Sequence, residues 1–261
     1  MAKTTTQLPK RADKAKGASR SPDRAAGRYP IIDVLRGVAL LAMFVYHFCF
    51  DLRYFGVIQQ NFNVDPFWLA ARTLILSSFL LLVGVSLALA TQRGIRWRGF
   101  WRRLELLAGC ALLVSVGSYA MFPTSWIFFG VLHHIALASL LGLAFLRLDW
   151  ANLPIGLVLI LLGAFVKLPA FDRSALQWIG LMTYKPVTED YVPLLPWFGV
   201  VLLGIFAGRR FLDQSSFALA RRWARAGHVV RFLTFAGRHS LILYMVHQPV
   251  FIGLLQVALR S

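Results

Sequence analysis

The chain has 261 residues, of which 58% are hydrophobic and only 15% are charged. Soluble globular domains carry about 25% charged residues, so this composition excludes an ordinary water-soluble domain. The formal net charge is +17, from 28 Lys and Arg against 11 Asp and Glu. The basic residues lie mainly between apolar segments and no groove-reading motif accompanies them, which favours a role in membrane topology over nucleic-acid binding.

Seven apolar windows follow a polar N-terminal tail, and each is close to the length of about 20 residues that a membrane-spanning helix needs. They lack the roughly ten-residue alternating pattern of barrel strands. The predicted spans are 30–52, 67–90, 104–121, 127–146, 152–168, 194–210 and 238–259. The sequence therefore predicts an all-α, polytopic transmembrane bundle of about seven helices.

Residues 1–28 are rich in Lys, Arg, Ala and Ser without an apolar period, which predicts a disordered basic tail ahead of one transmembrane domain, 29–261. The tail, the loop after the second span and the loop after the sixth span hold most of the basic residues. A count of seven helices places all three on one side, so the N-terminus is expected in the cytoplasm and the C-terminus outside. The outer connection from Leu168 to Val192 is expected to form a lid or an interfacial segment.

The first predicted helix carries four ionisable residues: Asp33, Arg36, His47 and Asp51. At 100° per residue, all four fall within a stripe about 60° wide that runs for roughly 27 Å along the helix. Such a stripe cannot face lipid, so it must line the bundle interior or a wet cavity.

Within this stripe, Asp33 and Arg36 are spaced for an ion pair at the cytoplasmic entry, with substrate binding as the functional alternative. His47 and Asp51 are one turn apart, within hydrogen-bond reach. A carboxylate that orients a histidine leaves the other ring nitrogen free as a general base. His47 and Asp51 are therefore the predicted catalytic pair, with a structural interhelical bond as the alternative.

Two other helices carry candidate substrate-binding residues. In the last helix, Tyr244, His247 and Gln248 precede Pro249, which predicts either a substrate-facing polar surface or a proline kink with an interhelical hydrogen bond. In the fourth helix, His133 and His134 point about 100° apart, so they cannot both bind one metal. One of the two is expected at the site while the other packs, and no metal site is predicted.

Four stretches resemble the heparan-α-glucosaminide N-acetyltransferase catalytic-domain family, part of a wider set of transmembrane acyltransferases. The stretches begin at Ile32, Gly130, Pro193 and Gly237, and the last one ends in His-Gln-Pro. The similarity extends over roughly 29–259. It implies an integral protein of a bacterial inner membrane that takes an acetyl group from cytoplasmic acetyl-CoA to a carbohydrate at the far side of the lipid bilayer.

The resemblance also implies a histidine base near the outer end of the first helix, hence His47. The lysosomal members place theirs in the first outer loop, and residues 51–66 contain no histidine here. Acetyl-CoA carries phosphates, and without a phosphate-binding loop the expected ligands are inner-face arginines. They are Arg102, Arg103, Arg209 and Arg210, with topology signals and lipid headgroup contacts as the alternative.

The predicted function is therefore membrane acyl transfer. The alternative is a transporter or proton-coupled carrier that uses the polar stripes of the first and last helices. A structural membrane protein with a packed polar interior is a third reading. The acceptor, the acyl chain, the choice between N- and O-transfer, and association into homo-oligomers stay open.

Overall fold

The computed structural model describes residues 29–92, 94–210 and 227–260. These residues form eight α-helices, and their single β-type pairing is an isolated bridge between Phe129 and Tyr191. The helices are α1 (Pro30–Tyr54), α2 (Pro66–Thr91), α3 (Trp97–Met121), α4 (Val131–Phe145), α5 (Asn152–Phe165), α6 (Leu194–Arg210), α7 (Gly227–Arg238) and α8 (Ser240–Arg260). The predicted all-α bundle is confirmed. The tail prediction for 1–28 lies outside the described residues.

Among the described helices, α1, α2, α3 and α8 are long and apolar enough to cross a membrane. Helices α4 and α5 have 15 and 14 residues. At 1.5 Å per residue they reach only about 22 Å, against a hydrocarbon core of roughly 30 Å. The chain is an integral membrane protein, while seven complete spans and the direction of insertion stay predictions.

The sequence predicts a loop between the sixth and seventh spans. This prediction is wrong for Gly227–Arg238, which form helix α7. His228, Arg231 and Arg238 lower the hydropathy of this segment, so an apolar window misses it. Its apolar residues nevertheless recur at helical spacing, from Val229 through Leu233 to Ala236.

Helix α6 forms the centre of the packing, between α2 and α5. Glycines bring these backbones into contact: a Cβ on Gly84 would collide with the carbonyl oxygen of Val201, and one on Gly204 with that of Leu81. Gly156 of α5 and Gly199 of α6 approach each other in the same way. Small residues at interfaces let membrane helices approach closely, which accounts for the backbone contacts of α6 with α2 and α5.

Helix α7 packs antiparallel to the first half of α1. Gly37 lies against Leu233, and Gly237 lies one turn further along α7 against Asp33, one turn earlier on α1. The chain then turns at His239, and α8 returns along α1, where Leu243 and Tyr244 pack against Leu40 and Met43. This turn brings the middle of α8 opposite the second half of α1.

The connection between α5 and α6 is an ordered cap tied to the α3–α4 turn. Its backbone bonds run from Glu189 N to Ser125 O (2.9 Å) and from Val192 N to Phe129 O (3.1 Å). Asp190 adds a side-chain bond, because its Oδ2 accepts the backbone N–H of Val131 at 2.8 Å. The segment expected to be a lid or an interfacial element is thus fixed to α4 by hydrogen bonds.

Candidate active site between helices α1 and α8

The polar residues of α1 and α8 meet near the C-terminal end of α1. The imidazole rings of His47 and His247 lie with centroids 5.1 Å apart in an edge-to-face arrangement. One turn further along α1, Asp51 Oδ1 accepts a hydrogen bond from the Gln248 side-chain amide at 2.7 Å. Four side chains predicted as candidate site residues therefore form one cluster.

The partner of Asp51 differs from the sequence expectation. The spacing predicts a hydrogen bond from His47 to Asp51, but the carboxylate binds Gln248, and His47 makes no hydrogen bond within the described part of the chain. A primary amide of the neighbouring helix supplies the donor instead. Helical spacing brings i and i+4 side chains near each other, but it does not determine whether another helix offers a closer donor.

The His247 ring is held from several sides. Its Nδ1 donates to the backbone carbonyl of Tyr244 at 2.5 Å. Phe44 stacks on the ring at 5.2 Å between centroids, and Phe251 contacts it edge-on at 5.8 Å. The carbonyl bond selects the tautomer with the proton on Nδ1, which leaves Nε2 as an acceptor.

Three buried acceptor atoms of this cluster have no hydrogen-bond partner among the described residues: Asp51 Oδ2, His247 Nε2 and Gln248 Oε1. The Asp51 side chain belongs to a residue that is 3% exposed, and His247 is 8% exposed. A buried polar atom without a partner costs roughly 1–3 kcal/mol. The cluster is therefore suited to a ligand that brings O–H or N–H donors.

The sequence profile of the family described as heparan-alpha-glucosaminide N-acetyltransferase, catalytic, matches residues 28–249 of this chain. The chain belongs to that family. Neither the curated proteins nor the solved structures compared with it contain a match. The matched region includes both halves of the α1–α8 cluster, since it extends to the residue after Gln248. Family membership indicates a membrane-bound transferase.

Tyr244 lies where several helices of the bundle come together. Its side chain packs with Leu40 and Met43 of α1 on one side and with Leu107 and Leu132 of α3 and α4 on the other. Its ring lies 5.5 Å from that of His247. Tyr244 thus belongs to the wall of the cluster, as the helical spacing of the last predicted helix suggests.

The two histidines of α4 have partners of their own. His133 accepts the N–H of Gly130 at Nδ1 (3.3 Å) and contacts Ser115 Oγ through Nε2 (3.1 Å). His134 is fully buried and donates from Nδ1 to the carbonyl of Pro193 at 3.2 Å. Among the described residues, neither ring contacts His47 or His247. His133 caps the N-terminal end of α4. His134 connects α4 to Pro193, the residue before α6, and its buried Nε2 has no hydrogen-bond partner among the described residues.

Asp33 and Arg36 belong to a separate cluster at the start of α1. Asp33 pairs with Arg36 at 3.2 Å and with Arg238 at 3.3 Å. Arg36 also donates to Ser86 Oγ at 2.8 Å. These bonds join α1, α2 and α7, so the geometry supports the structural alternative for this pair. At 1.5 Å per residue, Arg36 lies about 16 Å along α1 from His47.

The four arginines expected at the donor site differ in their surroundings. Arg103 lines a narrow crevice of about 20 Å³ between α2, α3 and α4, with Leu87, Leu107 and Ser139 on its walls. Arg102, its neighbour in sequence, does not line the crevice, although both side chains are exposed. Arg209 is also exposed.

Arg210 pairs with Asp149 at 3.7 Å, and its guanidinium lies 4.2 Å from the ring centre of Trp150. Stacking on an aromatic face and pairing with a carboxylate are typical of an arginine that fixes a helix end. The contacts of Arg210 therefore resemble those of a residue that holds the α4–α5 turn against α6.

Sequence reasoning did not find Phe44, Phe251 or Asp190. The two aromatic residues are one turn from His47 and His247 on the same helix faces, a spacing that could have suggested them. Burial raises the pKa of the Asp190 carboxyl above its ordinary value, while the Val131 hydrogen bond and the charges of Lys185 and Arg72 oppose that shift. Nothing in the local pattern around Asp190 indicates that its carboxyl accepts the N–H of Val131.

Proposed function

We propose that the chain transfers an acetyl group from cytoplasmic acetyl-CoA to a carbohydrate acceptor at the outer face, at the cluster between α1 and α8. The observation that carries this proposal is the assembly of His47, Asp51, His247 and Gln248 in one partly buried cluster. A second support is family membership, because the matched region contains all four residues.

The acceptor would enter with its reacting O–H or N–H group directed at the buried acceptor atoms. His47 would remove the proton from that group as its oxygen or nitrogen attacks the thioester carbonyl. The C–S bond then breaks, and the CoA thiolate takes up the proton. Overall, one acyl–sulfur bond is exchanged for one acyl–oxygen or acyl–nitrogen bond, with no net change in protons.

Asp51 would support this proton transfer electrostatically. It lies one turn from His47 on α1, and Gln248 holds one carboxylate oxygen. A carboxylate within a few ångströms favours the charged imidazolium that forms when His47 accepts a proton. In this proposal Asp51 stabilises the protonated base, and Gln248 fixes the position of Asp51.

The donor site would include Arg103. The narrow crevice beside it places one guanidinium next to apolar walls, and a guanidinium can pair bidentately with phosphate oxygens. Arg102 and Arg209 do not line this crevice and would contribute at longer range. Arg210 is already paired with Asp149, which makes it the weakest of the four candidates.

The test uses the purified chain, acetyl-CoA labelled in its acetyl group, and the envelope carbohydrate fraction of cells that lack the protein. Label should pass to the carbohydrate with the parent chain. It should not pass with His47→Ala or Asp51→Asn, although both should still bind acetyl-CoA. His228→Asn is a matched control, because His228 is exposed and contacts Arg231. Full transfer by both α1 variants would overturn the assignment of the base.

The transporter alternative receives less support. A proton or ion relay through α1 needs a continuous polar path, and the predicted stripe is divided into two clusters. Between them Leu40 is fully buried and Met43 is 6% exposed, and both pack against α7 and α8. Solute exchange by proteoliposomes without acyl-CoA would revive this alternative.

A further inference from the structure

We propose that His247 is a second proton-transfer residue, which takes the reaction's proton from His47 and holds it until the thiolate leaves. This inference rests on the acyl transfer proposed above. It assigns a proton-transfer role to a residue of α8 in addition to His47 of α1. Three observations carry it: the tautomer of His247, the neighbouring groups that favour a positive charge on its ring, and its contact with His47.

The first observation is the state of the two ring nitrogens. Nδ1 donates to the Tyr244 carbonyl, and Nε2 is buried without a hydrogen-bond partner among the described residues. A histidine with one nitrogen on a carbonyl and the other free is set up to accept a proton. His47 has no comparable orienting bond within the described part of the chain.

The second observation is that His247 is well placed to carry the resulting charge. When Nε2 is protonated, the Nδ1–H bond to the Tyr244 carbonyl becomes a charge-assisted hydrogen bond, which is roughly twice as strong as a neutral one. The next residue, Gln248, binds the carboxylate of Asp51. The face of Phe44 also stacks on the ring, where its π electrons favour a cation.

The third observation is the direct contact of the two imidazoles. With ring centroids 5.1 Å apart, no side chain lies between them. Nε2 of His247 has no hydrogen-bond partner among the described residues, so in the proposed cycle the His47 side chain rotates to bring a ring nitrogen to it, and the proton removed from the acceptor then moves to Nε2. His47 is then neutral while the tetrahedral intermediate collapses. The same proton returns to the CoA thiolate, so protons balance over the cycle.

The first test is His247→Asn. The Asn amide can replace Nδ1–H towards the Tyr244 carbonyl, but it offers no group in the place of Nε2. We expect kcat to fall by about 10²–10⁴, the usual contribution of a positioned acid–base group, with an unchanged KM for acetyl-CoA. His239→Asn is the matched control. Its Nδ1 makes the same type of bond, to the Phe235 carbonyl at 2.9 Å, but its ring is exposed.

The second test distinguishes proton transfer from packing and does not depend on the Asn variant folding. His247→Ala leaves a ring-sized space beside Phe44 and Phe251. Added imidazole should restore transfer, whereas pyrrole, a ring of similar size without a basic nitrogen, should not. Equal rescue by both rings, or near-parental kcat in His247→Asn, would overturn the role of His247 while the acyl-transfer proposal stands. A parent chain without any acetyl transfer would overturn both.

Discussion

Gln248 of α8 donates its side-chain amide to Asp51 of α1 at 2.7 Å, and this bond connects helices that are almost 200 residues apart in sequence. The other carboxylate oxygen has no partner among the described residues. The bond therefore offsets much of the free-energy cost of burying the carboxylate of Asp51, a residue that is 3% exposed.

The first prediction concerns this bond. Gln248→Ala should lower the free energy of unfolding by about 1–3 kcal/mol, because it removes a partner of a buried carboxylate. In the Asp51→Asn background the same change should cost less, since no charge is then left without compensation. Thermal unfolding of the four proteins in detergent gives the coupling by a double-mutant cycle. An equal cost of Gln248→Ala in both backgrounds would contradict the bond.

The second prediction concerns the donor. Arg103→Gln should raise the KM for acetyl-CoA by roughly 10- to 100-fold, the equivalent of a lost charge-assisted hydrogen bond of about 1.5–3 kcal/mol. The value of kcat should change little if Arg103 contributes equally to ground-state and transition-state binding. In the parent chain, added salt should weaken acetyl-CoA binding.

Arg98→Gln is the control for this prediction. It removes the same charge from a position on α3 that does not line the crevice, so the KM should stay near that of the parent. Arg210→Gln should act mainly on stability, because it breaks the contacts with Asp149 and Trp150. If Arg103→Gln leaves the KM unchanged, the donor phosphates bind elsewhere.

The third prediction concerns the approach of α7 to α1. Gly237→Ala should lower the unfolding temperature and reduce transfer. Its Cβ would collide with the Asp33 carbonyl, and the Gly237 carbonyl also contacts Arg36 at 3.5 Å. Any shift of α7 moves the turn at His239 and with it the start of α8. Gly253→Ala, on α8 with open space around it, should instead be neutral or stabilising by up to about 1 kcal/mol. A neutral Gly237→Ala would refute this packing.

The sequence predicts which residues belong to the α1–α8 cluster better than it predicts the hydrogen bonds between them. Helical periodicity alone places His47 and Asp51 on one face of α1, and the same rule relates Tyr244 to His247. The hydrogen bond of Asp51 depends on the register between α1 and α8, which no periodicity within one helix encodes. That register follows from the turn at His239 after α7, a helix whose basic residues hide it from a hydropathy window.

The stripe of α1 illustrates the same limit at longer range. All four ionisable residues point inward as the helical wheel predicts, but Leu40 occupies the same face between Arg36 and His47. A helical wheel gives the direction of each side chain around α1, but it cannot show which residues of other helices contact each part of the stripe. Arg36 donates hydrogen bonds to Ser86 and Gly237, whereas the ring of His47 contacts that of His247. The stripe predicted as one surface is therefore divided into an ion-pair cluster and a candidate site.

The last prediction concerns Asp190 in the cap between α5 and α6. Burial raises the pKa of this carboxyl above its ordinary value of 3.8. Because the folded protein binds this proton more tightly than the unfolded chain, the contribution of Asp190 to stability is complete below about pH 3.8 and is lost as the pH rises through the folded pKa.

Asp190→Asn keeps an oxygen for the Val131 N–H but cannot ionise. The unfolding temperature of the parent, measured relative to that of Asp190→Asn, should therefore fall as the pH is raised from about 4 towards neutral. Asp190→Ala, which also loses the Val131 bond, should be less stable than Asp190→Asn at every pH. A parent that gains stability over Asp190→Asn with rising pH would show that Lys185 and Arg72 outweigh the burial of the carboxylate.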